Sequence, residues 1–397
     1  VSITTAAGFL ASGLAAGLKG SGGKDLALVL NTGPDHAAAG VFTRNRVKAA
    51  PVVWSQGVLR DSRLRAVILN SGGANACTGP EGFADAHRTA EVVAAAFGQS
   101  QGAAGLLAQS ADIGAIDVAV CSTGLIGVRL PMEKLTAGIT KLVPLLSADG
   151  GPAAAEAIMT TDSVSKQASF ADEGWSIGGM AKGAGMLAPG LATMLVVLTT
   201  DAIVDQALLR DQLASACQRS FDRIDSDGCM STNDAVILLS SGASGVRPAA
   251  GDFQAALNET CADLARQLLA DAEGAAHTIA IEVRHAVSED DAVDVGRAIA
   301  RSNLFKCAVF GQDPNWGRVL AAIGTTAADF EPDRIDVAFN GVQVCHDGSI
   351  GDPRELVDLS GHDVHVEVDL RNGRYSATIW TNDLTYDYVK ENAEYAT

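Results

Sequence analysis

Lys182-Gly-Ala-Gly-Met-Leu-Ala-Pro-Gly-Leu-Ala-Thr193-Met-Leu-Val-Val-Leu-Thr-Thr-Asp201 decides how the rest of the 397-residue chain is read. Up to Pro189-Gly190 it is small-residue loop material. From Met194 to Leu198 it is an unbroken apolar run, the pattern of a buried strand entered straight from a turn. Ala192 and Thr193 sit at the junction. A hydroxyl at the mouth of a buried strand, behind a side chain too small to block it, can be held against the preceding carbonyl. That arrangement would permit self-cleavage and leave Thr193 as an N-terminal nucleophile. On these residues alone the simpler reading of Thr193 is a first strand residue whose hydroxyl caps nearby backbone. Thr199 and Thr200 lack a preceding alanine and stand second as nucleophiles.

Working outward, 397 residues exceed a usual single core, so two lobes are expected. Hydrophobic residues make up 47% and charged residues 19%, so there is much to bury. A net charge of −18 argues against nucleic-acid or anionic-membrane partners, since phosphate surfaces demand basic patches. Seven scattered cysteines form no C-x-x-C pair, which fits a reducing compartment and excludes a zinc site. Val1 to Leu18 has no basic n-region and is broken by Gly8, Gly13 and Gly17. No signal peptide or membrane span is read, and a cytoplasmic protein is expected.

Leu26–Asn31, Ala66–Asn70 and Asp117–Cys121 read as short buried strands, and Val41–Val47 as a half-exposed one. Arg44, Arg46 and Lys48 form a basic stripe, read as a solvated strand face or as the rim of a site for an anion such as a coenzyme A phosphate. The Ser71–Gly79 loop suits close backbone approach but is neither a Walker loop nor a dinucleotide fingerprint. Ser122-Thr123-Gly124 puts a hydroxyl beside a glycine N–H at a strand end, the needs of an oxyanion hole, although a plain strand-to-turn transition has the same letters. Helices are expected over Ala84–Phe97, Pro131–Leu146, Asp205–Arg219, Phe253–Ala272 and from the Ser288 cap to Arg301. Phe170 to Ile177 is expected to form a strand or hairpin. Placing Gly228 sixth in a calcium loop would make Arg223 its first ligand, so an EF-hand is rejected. Asn340-Gly341 and Asn372-Gly373 both predict type I′ hairpins.

Taken together, Lys182–Pro189 with Ala192-Thr193-Met-Leu closely resembles the self-processing segment of the ornithine acetyltransferases, the glutamate N-acetyltransferases of arginine biosynthesis. Ser122–Gly127, Ala157-Ile-Met-Thr-Thr-Asp162, Ser231–Leu239, Gly311-Gln-Asp-Pro-Asn-Trp-Gly-Arg318 and the tail Asn392…Thr397 match further family segments in order. The resemblance implies an α/β (α+β) fold, the DmpA/ornithine-acetyltransferase-like layered αββα sandwich. It also implies cleavage between Ala192 and Thr193 into an N-terminal subunit, 1–192, bearing the oxyanion hole, and a C-terminal subunit, 193–397. Thr193 would be the nucleophile, with Thr123 and Gly124 as the oxyanion hole. Thr160 (ahead of Thr161), Lys182, Glu273, Asn392 and Thr397 would bind substrate, and Gly311–Arg318 would shape a wall.

An alcohol needs a nearby base, and cleavage would supply the Thr193 α-amine, whose reference pKa is about 8. The implied reaction moves acetyl from N-acetylornithine to glutamate through acetyl-Thr193. No cofactor or metal is implied, acetyl-CoA is left open as a second donor, and the cleaved chains are expected to assemble as α2β2. The competing reading is an aminopeptidase or amidase of the same architecture.

Overall fold

The computed structural model describes residues 1–99, 112–172, 174–188 and 194–394. Apolar runs that admit no polar face become strands buried on both sides. Every residue of β2 (Leu26–Asn31), β4 (Ala66–Asn70), β5 (Val118–Ser122), β8 (Leu195–Thr200) and β9 (Ala235–Ser240) is buried. The first sheet runs β1-β2-β4-β5, with β1 at Phe9–Leu14, and the second runs β3-β9-β8-β7-β6. In the second, β3 is Ala38–Phe42, β6 Lys166–Asp172 and β7 Trp175–Lys182.

The two sheets stack face to face. Ala27, Val29, Val67, Leu69 and Ala119 of the first meet Met180, Leu195, Val197, Ile237 and Leu239 of the second. Because strand side chains alternate, Leu28, Ile68 and Val120 point the other way, onto α2 (Gly79–Gln99) and α3 (Met132–Leu142). Ile177, Val196, Leu198, Val236 and Leu238 likewise turn toward α5 (Gln206–Arg219) and α6 (Ala250–Ala270). The result is helix, sheet, sheet, helix, the αββα layering expected. The open edge of β5 is covered by α1 (Ala50–Val58), whose Ser55 hydroxyl donates to the Val120 carbonyl and accepts from the Val120 amide. Against the sheet sandwich packs α4 (Gly151–Ala157).

A third sheet forms the second lobe, in the order β13 (Ser349–Ile350), β12 (Val342–His346), β11 (Asp336–Phe339), β14 (Asp363–Asp369), β10 (Thr278–Ala286), β15 (Tyr375–Asn382). Its strands alternate buried and half-buried residues, so one face alone is covered, by α7 (Glu289–Ala300), α8 (Asn303–Phe310) and α9 (Trp316–Ile323). The chain closes with α10 (Tyr386–Glu394).

Two expectations are corrected. The strand read over Val41–Val47 ends at Phe42. Beyond it the Thr43 hydroxyl accepts from the Asn45 amide and the Asn45 side chain from the Val47 amide, local bonds that turn the chain. The hairpin at Asn372-Gly373 does not form, because β10 lies between β14 and β15, parallel to one and antiparallel to the other. The positive φ there falls on Arg371, +46°, and Gly373 passes so close to β10 that a Cβ would lie 2.0 Å from the Ala286 carbonyl oxygen. Asn340-Gly341 does make the tight turn, with φ of +46° and +83° between β11 and β12. Trp316, at the first position of α9 after the Asn315 cap, packs half-buried against the core of the third sheet. Among the described residues no helix is long and apolar enough to cross a membrane.

Candidate active site

Two strand ends and one polar turn converge beside the Lys182 end of β7. The loop after β4, Ser71–Asn75, and the loop after β5, Thr123–Leu125, run together. The Gly73 amide donates to the Thr123 carbonyl and the Ala74 amide to the Leu125 carbonyl. Gly124 sits at φ +123°, and a Cβ there would lie 2.7 Å from the Gly73 nitrogen, so the approach excludes any side chain. Asn233, from the turn entering β9, donates through one amide nitrogen to the Ala74 and Ser122 carbonyls at 2.6 and 2.9 Å. Asn70 completes the brace, donating to the Gly73 carbonyl and accepting from the Ser122 hydroxyl.

Lys182 reaches into this cluster. It is 1% exposed and its Nζ donates to Thr123 Oγ1 at 3.1 Å. A hydroxyl that accepts from an ammonium is polarised and keeps its own proton to donate, as an oxyanion donor must. Burial pushes the Lys182 ammonium below the ordinary lysine value, and Asp162, Asp234 and Glu273 pull it back. Asp162 accepts from the Gly183 amide and from buried Lys166, both at 2.6 Å. Burial alone would raise its carboxyl, yet Lys182 and Lys166, with that amide, hold it at about 2. Lys166 also pairs with Asp271 at 2.6 Å, fastening the turn after α6 to this network.

Asp234 stands behind the start of β8. Its Oδ1 accepts the Met194 amide at 3.1 Å, and its Oδ2 is buried with no hydrogen-bond partner among the described residues. Burial drives this carboxyl well above the ordinary value, against the pull of the Met194 amide, Ser231 and Lys182. Its bond to the Met194 amide fixes the residue that directly follows Thr193.

Glu273 forms the other wall. Its amide donates to the Ala184 carbonyl at 2.9 Å, and its carboxylate accepts from Thr161 Oγ1 at 2.7 Å and Asn392 Nδ2 at 3.1 Å. A Cβ at Gly185 would lie 2.5 Å from Glu273 Oε2, so the carboxylate lies directly over that glycine. The tail is brought here by α10. The Thr385 hydroxyl accepts from the Tyr388 amide as its cap and donates to the Gly274 carbonyl.

Thr123, Gly124, Lys182, Glu273 and Asn392 are thus tied into one bonded region. Thr160 is near it, its amide donating to Asp162 Oδ2 at 2.9 Å, while Thr161 is the residue that holds Glu273. Ala192, Thr193 and Thr397 lie outside the described residues. Thr199 and Thr200 spend their hydroxyls on the Ile3 and Ser176 carbonyls inside β8. The segment that mimics a calcium loop uses Asp225 on Arg301 and Asp227 on the Met186 and Cys229 amides. Glu282, His365 and Glu367 gather within 4.8 Å on the third sheet, where Arg284 already pairs with both glutamates.

The sequence model of the ArgJ family matches residues 10–397. This chain belongs to the ArgJ family. It is 59% identical over 396 residues to the arginine biosynthesis bifunctional protein ArgJ of Streptomyces avermitilis, covering 100% of both chains. To the ArgJ of Mycobacterium leprae it is 56% identical, over 99% of this chain and 95% of that one. A crystal structure of an ornithine acetyltransferase complexed with ornithine from Mycobacterium tuberculosis is 62% identical, with a TM-score of 0.44, covering 47% of this chain and 94% of that chain.

Within this ArgJ member, sequence reading passed over Asp162, Asn233, Asp234 and Gly185 as participants. The first three were visible as polar residues flanking quoted segments, Asp162 after Thr160-Thr161 and Asn233-Asp234 before an all-apolar strand. Gly185 carries no letter-level signal, since its role is a close approach from Glu273, a residue far along the chain.

Proposed function

We propose that this ArgJ-family chain cleaves itself before Thr193 and then transfers acetyl from N-acetylornithine to glutamate. In the first event Thr193 Oγ attacks the Ala192 carbonyl, the C–N bond gives way to an ester, and water hydrolyses it. The division 1–192 and 193–397 that follows passes between β7 and β8, which remain hydrogen-bonded neighbours in one sheet. Two cleaved pairs then form an α2β2 enzyme in the cytoplasm.

In turnover the freed α-amine of Thr193 takes the hydroxyl proton as Oγ adds to the acetyl carbonyl. The Thr123 hydroxyl and Gly124 N–H receive the negative oxygen, each donor of this kind being worth about 2.7–4 kcal/mol. The intermediate collapses, ornithine leaves with the proton, and the glutamate amine attacks the acetyl ester to give N-acetylglutamate and free Thr193. The pocket offers a buried cation, Lys182, for a carboxylate and an acceptor, Glu273, for an ammonium, the two charges of the amino-acid substrates. Thr160, Asn392 and Thr397 complete it. The chemistry requires no cofactor or metal, and acetyl-CoA is a candidate second donor.

The observation that carries this reading is the contact of Lys182 with Thr123, which brings the oxyanion loop against the strand leading into the processing segment. Its test is Thr193→Ala, expected to run as one full-length band on a denaturing gel where the parent gives two, with no acetyl transfer. Two bands from the variant refute the nucleophile. Acetyl release from the parent at full rate without glutamate would instead mark an amidase.

A further inference from the structure

In a protein of net charge −18, four arginines gather on one groove, apart from the substrate residues named above. A depression of about 520 Å³ between α7 and α9 includes Arg301, Arg318, Asn315 and Thr325 in its lining. Sharing Arg301 and Thr325, it runs on into one of about 400 Å³ that adds Arg44 and Arg297. Together they have the size of a small-molecule site.

The positive charge is only partly matched. Arg301 pairs with buried Asp225 at 2.7 Å, while Arg44, Arg297 and Arg318 make no ion pair among the described residues, Arg297 and Arg318 donating instead to the Asp222 and Leu304 carbonyls. The acid in the lining is Asp294. Arg297 Nε is buried with no hydrogen-bond partner among the described residues. Burial pushes the Arg297 guanidinium below its ordinary value, Asp225 and Asp222 oppose this, and Arg44 and Arg301 add to the lowering as like charges. Crowded, partly desolvated guanidiniums destabilise a fold unless an anion joins them.

We propose that this groove binds a phosphate-bearing small molecule, its phosphates on Arg44, Arg297 and Arg301 and the remainder along Arg318 and Asn315. Guanidinium forks match phosphate oxygens in pairs. The overall negative field disfavours a long polyanion such as a nucleic acid, whereas a compact one feels the local surplus. The site also reaches toward the substrate pocket. Arg301 holds Asp225, the next residue donates its amide to the Leu187 carbonyl at 2.6 Å, and Asp227 accepts the Met186 amide at 2.7 Å. The inference does not rest on the acetyl-transfer reading.

Isothermal titration at low salt with pyrophosphate, ADP and coenzyme A, separately, tests it. Binding by at least one is expected, weakening as salt rises. It should fall at least about tenfold in Arg44→Gln/Arg318→Gln, whose exposed or half-exposed positions leave the melting temperature unchanged, and in Arg297→Gln. Equal affinity for all three means that phosphate charge alone is read, and tighter ADP or coenzyme A means that the nucleoside is read too. Lys182→Ala should bind as the parent does. Silence from all three ligands, or binding that survives the arginine changes but is lost in Lys182→Ala, overturns the proposal.

Discussion

Gly185→Ala tests the pocket geometry with one methyl group. Gly185 has no positive φ, so alanine adds no backbone strain, and its effect is confined to what the new Cβ meets. That is the Glu273 carboxylate, with Oε2 at 2.5 Å, Oε1 and Cδ both at 2.6 Å. Contacts of that kind essentially do not occur below 3.0 Å, so the carboxylate must retreat by at least about 0.5 Å. Its Asn392 bond is already 3.1 Å and loses its geometry, while the 2.7 Å Thr161 bond lengthens. If Glu273 holds the substrate ammonium, a displacement of this order lowers kcat/KM about 10- to 100-fold, or ~1.4–2.7 kcal/mol. Steady-state rates with N-acetylornithine and glutamate, alongside a melting curve, read it out. Parent kcat/KM in a variant shown to carry the alanine would refute the placement of Glu273 at the substrate. A large fall in melting temperature would show that the change acts on the fold.

Asp162→Asn should lower stability at neutral pH by about 3 kcal/mol, because buried Lys166 keeps only Asp271 as a partner and Lys182 loses the largest of its counter-charges. The parent's Asp162 lies at about 2, below its reference 3.8, so its stabilisation is full above that reference and lost as pH falls through about 2. Acid titration followed by circular dichroism should show that limb in the parent and not in the variant. Asp234→Asn should behave in the opposite sense. Its carboxyl is raised in the fold, so the stability it contributes is full below 3.8 and declines as pH rises toward the folded value. Asparagine keeps an acceptor for the Met194 amide, and its melting temperature should gain on the parent's as pH is raised; a gap that shrinks instead contradicts a raised Asp234 carboxyl. Asn233→Ala strips the donor from the Ala74 and Ser122 carbonyls, ~1–3 kcal/mol each when buried. Because the same bonds brace the Thr123-Gly124 loop, kcat should drop about tenfold or more, and an unchanged kcat in a destabilised variant would separate the brace from the chemistry.

Local chemistry made much of this legible in the letters. Runs such as Leu26–Leu30 and Leu195–Leu198, all apolar, have nowhere to go but a two-sided core. Ser288 before three acidic residues marks a helix start, and Asn340-Gly341 marks a tight turn. Thr123, Gly124, Lys182, Glu273 and Asn392 could be named because each sits in a segment resembling one family. The sequence did not determine which strands are neighbours. Asn372-Gly373 looked like a hairpin and is not one, because β10, from much earlier in the chain, inserts between the two strands. Nor could it join Lys182 to Thr123, Gly185 to Glu273, or the arginines at 44, 297, 301 and 318. Periodicity reports how a residue faces its immediate neighbours, whereas these encounters depend on the packing of whole sheets, which no local stretch encodes.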